Sequence, residues 1–153
     1  MYTPEIIADW FLCKADRMPK PSMTNLKLQK LVYYAQAWSL VFLAEPLFND
    51  DFQAWVHGPV IVELYNKYKK NPYALNIPEN CPELNKNVVD ILIQVLNVYG
   101  RYNAKYLEGL THSEEPWINA RGGISPEARS NNIISKEEIK KYYSNLLVSA
   151  QTA

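Results

Sequence analysis

The stretch from Thr24 to Phe42, TNLKLQKLVYYAQAWSLVF, constrains this chain more than any other. Leu28, Leu31, Val32, Ala35, Ser39 and Phe42 recur at three- and four-residue steps on one face. Leu26, Lys30, Tyr33, Ala37 and Leu40 repeat those steps on another, so the segment reads as a helix that is apolar around most of its circumference. Such a helix must be surrounded by protein or by lipid. Lys27, Gln29, Lys30 and Gln36 interrupt it, whereas a membrane span needs roughly twenty predominantly apolar residues, so a central helix inside a domain is the reading that fits. Thr24 supplies an N-cap hydroxyl and Pro46 ends the run.

A length of 153 residues suits one domain over 1–153 with a single core. Sixteen Lys and Arg balance sixteen Asp and Glu. There is thus no global positive field to draw the chain onto nucleic acid or an anionic membrane, and either would need a local patch. Cys13 and Cys81 show neither zinc-ligand spacing nor the density of a disulfide scaffold, so reduced thiols and no bound metal or cofactor are expected. The opening MYTPEIIADWF mixes acidic with apolar residues and has no basic lead-in to an apolar run. A cytoplasmic location follows by default.

Thr3, Pro4 and Glu5 form a helix-start signature, and Ile6, Ile7, Trp10 and Phe11 give an amphipathic first helix. It is predicted to stop near Met18, before a stiff connection bracketed by Pro19 and Pro21. Leu47 and Phe48, then Phe52 to Val56 across Asn49, Asp50 and Asp51, suggest a small β-hairpin. Gly58 and Pro59 are predicted to break it, with Pro59 opening a helix through Tyr68. Prolines 72, 78 and 82 mark a surface loop from Lys69 to Asn87. A helix over Val88–Tyr99 follows, ended by a left-handed Gly100. Asn103 caps a short helix through Leu110, and Ser113 caps another closed by Gly122 and Gly123. Ile133 and Ile134 offer a third strand, and the Ser135/Glu138 capping box starts the last helix, with Ile139, Tyr142, Tyr143, Leu146 and Leu147 inward. The expected fold is mainly α: one helical domain built around a helix at about 24–43, with a two- or three-stranded β element near 47–56 and 132–134.

Two runs carry possible chemistry, WVHGP at 55–59 and THSEEPWINAR at 111–121. His57 and His112 with Glu114, Glu115 and Arg121 would supply a general base, an acid and an anion clamp. Against that stands the commoner use of histidines at element ends, bonding backbone groups. No phosphate loop, nucleophile elbow or Cys/His signature supports an enzyme. A DNA-binding helix-turn-helix is a further alternative, weakened because its second helix is too apolar for a groove. The shared element-end positions predict that Trp55, His57, Gly58 and Pro59 form a junction with Thr111, His112 and Trp117. Lys27, Lys30 and Tyr34, on any uncovered strip of the central helix, are the expected anchors for a protein partner.

Three blocks together carry a resemblance: MTNLKLQKLVYYAQAW at 23–38, PLFNDDFQAWVHGPVIVELYNKYK at 46–69 and LTHSEEPWINAR at 110–121. In that order they closely resemble the Panacea domain, or SocA-like antitoxin domain, of bacteria and their prophages. The family's signature elements correspond to Leu28, Gln29, Lys30, Tyr33 and Tyr34, to Trp55, His57, Gly58 and Pro59, and to His112, Pro116 and Trp117. The resemblance implies a small helical antitoxin that binds and neutralises a toxin encoded beside it, with some members passing the toxin to a protease. Apart from the resemblance, no cofactor and no membrane partner are expected, and the balanced charge disfavours a nucleic-acid partner. Specificity would then reside in the domain surface, the loop from Asn71 to Asn87, or the two ends.

Overall fold

The computed structural model describes residues 1–14 and 23–152. Its axis is α2, Asn25–Phe42, with Thr24 Oγ1 accepting from Lys27 N as the N-cap. Fourteen of the eighteen residues of α2 are buried. Around it lie α1 (Pro4–Cys13), α3 (Val62–Tyr68), α4 (Lys86–Tyr99), α5 (Ala104–His112), α6 (Glu115–Ala120) and α7 (Lys136–Thr152). All but α6 pack substantially on α2 itself, and α6 sits against α5 and α7. A three-stranded antiparallel sheet of order β2-β1-β3 closes one side, built from β1 (Phe52–Trp55), β2 (Gly58–Val60) and β3 (Ile133–Ile134).

The polar residues of α2 explain how so apolar a helix fixes the chain around it. A buried amide or amine must find a partner or forfeit its hydration, and here the partners are the backbones of connecting segments. Gln36 donates to Phe48 O at 2.9 Å and accepts from Leu47 N at 2.7 Å. Gln29 accepts from Ile61 N at 3.1 Å, Ser39 donates to Glu45 O at 2.8 Å, and Asn25 donates to Tyr65 O at 3.1 Å. Each interruption of the apolar pattern holds a loop or the start of an element.

Several boundaries differ from expectation. α1 starts on Thr3 and Pro4 but ends at Cys13 with Lys14 as C-cap; the predicted stop near Met18 and the Pro19/Pro21 connection lie outside the described residues. Leu47 and Phe48 are buried without being a strand, because Gln36 satisfies their backbone. The hairpin instead pairs β1 with β2 in the register Gln53↔Val60, Ala54↔Pro59 and Trp55↔Gly58. Gly58 and Pro59 therefore lie within a strand. Pro59 is tolerated because β2 is the sheet's edge, where a missing N–H leaves no ladder bond unmade. β3 completes the sheet, with Phe52 opposite Ile134 and Gln53 opposite Ile133.

Gly100 has φ −63° and is right-handed. Ser113 ends α5 rather than capping α6, its hydroxyl donating to Leu110 O at 2.7 Å. Leu146, placed on the inward face of α7 by its spacing, is 40% exposed. Cys13 and Cys81, expected as reduced thiols, form a disulfide with a Cα–Cα distance of 5.9 Å. Their separation of 68 residues gives no local signal, and only the tertiary fold brings them together. Among the described residues no helix is long and apolar enough to cross a membrane.

Candidate functional site

The hairpin turn and the α5/α6 corner meet at one buried junction. Trp117 Nε1 donates to Trp55 O at 2.7 Å, and Pro116, one residue earlier in the first turn of α6, is buried. His112 stacks on the Trp117 ring at 4.0 Å between centroids and 17° between planes. The Arg121 guanidinium lies 4.7 Å from the same ring. Arg121 is 3% exposed. Its donors reach Ala54 O at 2.9 Å, Ser125 O at 2.7 Å and Ala128 O at 2.6 Å. Weighed from sequence as an anion clamp, it serves instead to tie β1 to the chain after α6.

Gly58 is required here twice over. Its φ of +96° is costly for any residue with a Cβ. A Cβ would also lie 2.6 Å from Lys30 Cε and 2.7 Å from Thr111 Oγ1. Lys30 thus passes directly beneath the turn, and its Nζ donates to Pro59 O at 3.1 Å. Burial pushes the Lys30 amine down to about 7, opposed by the Glu108 carboxylate. Lys27 ends against Gly100 O, and its amine is pushed down to about 8, again by burial.

Tyr34 also faces inward. Its hydroxyl and that of Tyr143 donate to Glu114 Oε1 at 2.8 and 2.9 Å, and Tyr34 stacks on Tyr99 at 3.8 Å. Burial raises the Glu114 carboxyl above its ordinary value despite those two bonds. Lys27, Lys30 and Tyr34 are each 0% exposed, so the expectation that they lie on an uncovered strip of the central helix fails. The helix has no such strip at these positions, because α4, α5, α7 and β2 all close on it.

The two histidines approach a shared carboxylate. His57 Nδ1 is 3.9 Å and His112 Nε2 4.0 Å from Glu108 Oε1, with Lys105 Nζ 3.6 Å from Oε2. His57 sits on the exposed hairpin turn, its side chain 53% accessible, rather than inside the junction. Burial lowers the His112 pKa most, while the Val56 backbone and Glu108 act to raise it. Glu114 is consumed by tyrosines and Arg121 by carbonyls, so neither joins the histidines as an acid or a clamp. Among the described residues no His, Cys, Asp and Glu grouping could hold a metal ion.

Outside the junction, the outer side of the hairpin forms an open groove of about 670 Å³ whose lining includes Gln53, Trp55, His57, Tyr65 and Arg129. A second, apolar groove of about 360 Å³ lies between α2, α4 and α7, lined by Trp38, Phe42 and Val98 among others. The sequence pattern put Tyr65 on a helix face and gave neither it nor Arg129 a site role. Nothing local marks Arg129, which reaches the hairpin only because β3 pairs with β1.

The family model described as "Antitoxin SocA-like, Panacea domain" matches residues 28–118, more than half of the chain. The Antitoxin SocA of Caulobacter vibrioides (strain NA1000 / CB15N) is 32% identical over 125 residues, which cover 72% of this chain and 66% of that protein. The chain thus spans just under two thirds of that relative's length. No solved structure matches it with significance.

Proposed function

The chain belongs to the antitoxin SocA-like, Panacea-domain family, and from that premise we propose that it is an antitoxin that neutralises a cognate toxin by binding it directly. Binding is the step shared by two possible outcomes, blocking the toxin and handing it to a bacterial protease. The observation that carries the reading is how the motif residues are used. Lys30, Gly58, Pro59, Thr111 and Trp117 are buried and engaged with one another or with backbone, which leaves the surface they support to make contact. A specific complex of this kind buries on the order of 1,200–2,000 Å². The reading sets the protein beside its toxin and calls on no cofactor, membrane or nucleic acid.

The test is to induce the reading frame adjacent to this gene, alone and together with this chain. Growth arrest that co-expression relieves, with both proteins recovered in one complex, is the expected result. Relief without any complex, even with cellular proteases inactivated, would sink the contact mechanism and return weight to His57 and His112 as enzyme residues.

A further inference from the structure

Building on the antitoxin reading, we propose that the groove on the outer side of the hairpin is the docking site for an acidic segment of the protein partner, with Arg129 and Trp55 as its anchors. The groove is open, and its volume of about 670 Å³ accommodates several side chains. Its lining combines Trp55, Tyr65 and Arg129, from the residue types that dominate binding energy at protein interfaces. Trp55 and Tyr65 meet edge to face at 5.0 Å, which gives a rigid apolar floor. Arg129 is exposed and, among the described residues, forms no ion pair.

Charge decides the class of occupant. Arg129 and His57 are the ionisable groups at the rim besides Tyr65, and no carboxylate is among the described lining residues. Glu108 stands behind His57, shared with Lys105 and His112, and is largely covered. In a chain with sixteen charges of each sign, a groove whose lining carries the Arg129 guanidinium and no carboxylate among its described residues selects for an anionic partner surface. Asp or Glu side chains would pair with the Arg129 fork, while an apolar neighbour would lie on Trp55.

The floor is pre-formed. Trp55 Nε1 donates to Gln53 Oε1 at 2.8 Å, and Trp55 O accepts from Trp117. Lys30 and Thr111 lock the adjoining Gly58 from below. The buried junction therefore positions the groove, and a pre-organised floor loses little entropy when a partner binds.

Two experiments test this, and they fail separately from the antitoxin reading. In the first, the full chain is used to select displayed random dodecapeptides. Selected peptides should be rich in Asp and Glu and should bind Arg129→Glu about tenfold or more weakly, with Arg129→Lys between the two. Neutral or basic peptides, binding indifferent to Arg129→Glu, or no peptides at all overturn the proposal. So would a labelled single-stranded oligonucleotide that binds wild type but neither Arg129→Glu nor Trp55→Ala, because it would reassign the groove to nucleic acid.

In the second, Arg129→Glu and Val98→Glu, the latter in the apolar groove, are each co-expressed with the adjacent reading frame. Arg129→Glu, at an exposed site that leaves the fold intact, should lose complex and protection. Undiminished protection by Arg129→Glu, or loss with Val98→Glu alone, overturns the proposal while leaving the antitoxin reading standing. Absence of protection by wild type would sink that reading, and the peptide selection would still decide the groove.

Discussion

The hairpin at 55–60, which turns at Val56 and His57, and the connection at 69–85 both run outside the helices, yet they are held by different means. At the turn, buried side chains from α2, α5 and α6 reach the backbone: Lys30 to Pro59 O, Trp117 to Trp55 O, and Thr111 against Gly58. The connection is mostly exposed. It is fastened by the Cys13–Cys81 disulfide, by Asn25 N donating to Pro72 O at 2.8 Å, by Asn85 N donating to Tyr2 Oη at 2.9 Å, and by Leu75 and Leu84 against the core. The contrast teaches that position in the fold, not the amount of secondary structure, decides rigidity. The turn is held by buried side chains that reach its backbone from three helices, whereas the connection is held by a few scattered contacts and one covalent tie.

The sharpest way to break this comparison is Gly58→Ala. The positive φ and the close approach to Lys30 and Thr111 act together, so the substitution should cost about 3–5 kcal/mol in denaturant unfolding. A cost below about 1 kcal/mol would mean that the turn is no more rigid than the connection.

Reducing the disulfide probes the other side. Opening a covalent loop of this span should remove about 2–4 kcal/mol. Hydrogen exchange should then rise in 69–85 while the hairpin amides stay protected. Equal loss of protection at the hairpin would show that the two regions unfold as one unit. The surface loop expected from its prolines is thus tied to the fold by Leu75, Leu84 and the disulfide.

A smaller effect sharpens the account of the junction. The Lys30 amine is lowered to about 7 in the folded chain from an ordinary 10.5. Between those values the unfolded chain holds the proton and the folded chain does not, so stability should rise with pH through that window. The gain between pH 7 and pH 9 should be about 2 kcal/mol, and Lys27, lowered to about 8, adds in the same direction. Above pH 10 the buried tyrosines, whose folded pKa values are raised, reverse the trend as the unfolded chain loses its phenolic protons. Lys30→Met should flatten the rise in melting temperature from pH 7 to pH 9. An unchanged slope in that variant would locate the titration elsewhere.

Much of the helical frame was legible because it is written in local chemistry. The Thr3-Pro4-Glu5 start, the Thr24 and Asn103 caps, and the Ser135 hydroxyl accepting from Glu138 N at 3.1 Å all act within a few residues. The hairpin was misplaced by one strand because Leu47 and Phe48 look like β residues, while a glutamine eleven or twelve residues away takes their backbone bonds. Lys27, Lys30 and Tyr34 were expected as partner anchors on an uncovered strip, with lysine stems lying over the core and only the amines exposed as the alternative. Their full burial was not legible for a similar reason. A lysine on a helix is usually exposed, and nothing in its neighbours announces a carbonyl waiting 29 or 73 residues along the chain.

By itself, then, the sequence determined that this chain folds around one nearly all-round apolar helix, that short capped helices follow it, and that three motif blocks place it among the Panacea domains. Those are properties of periodicity, capping and local pattern, and they survive without knowing what packs on what. The tertiary structure alone decided that the polar residues of that helix are internal ties, that Cys13 meets Cys81, and that Arg129 comes to stand beside Trp55. Each of these depends on groups distant in sequence being brought within a few ångströms, where desolvation leaves a polar group only the partner the fold supplies.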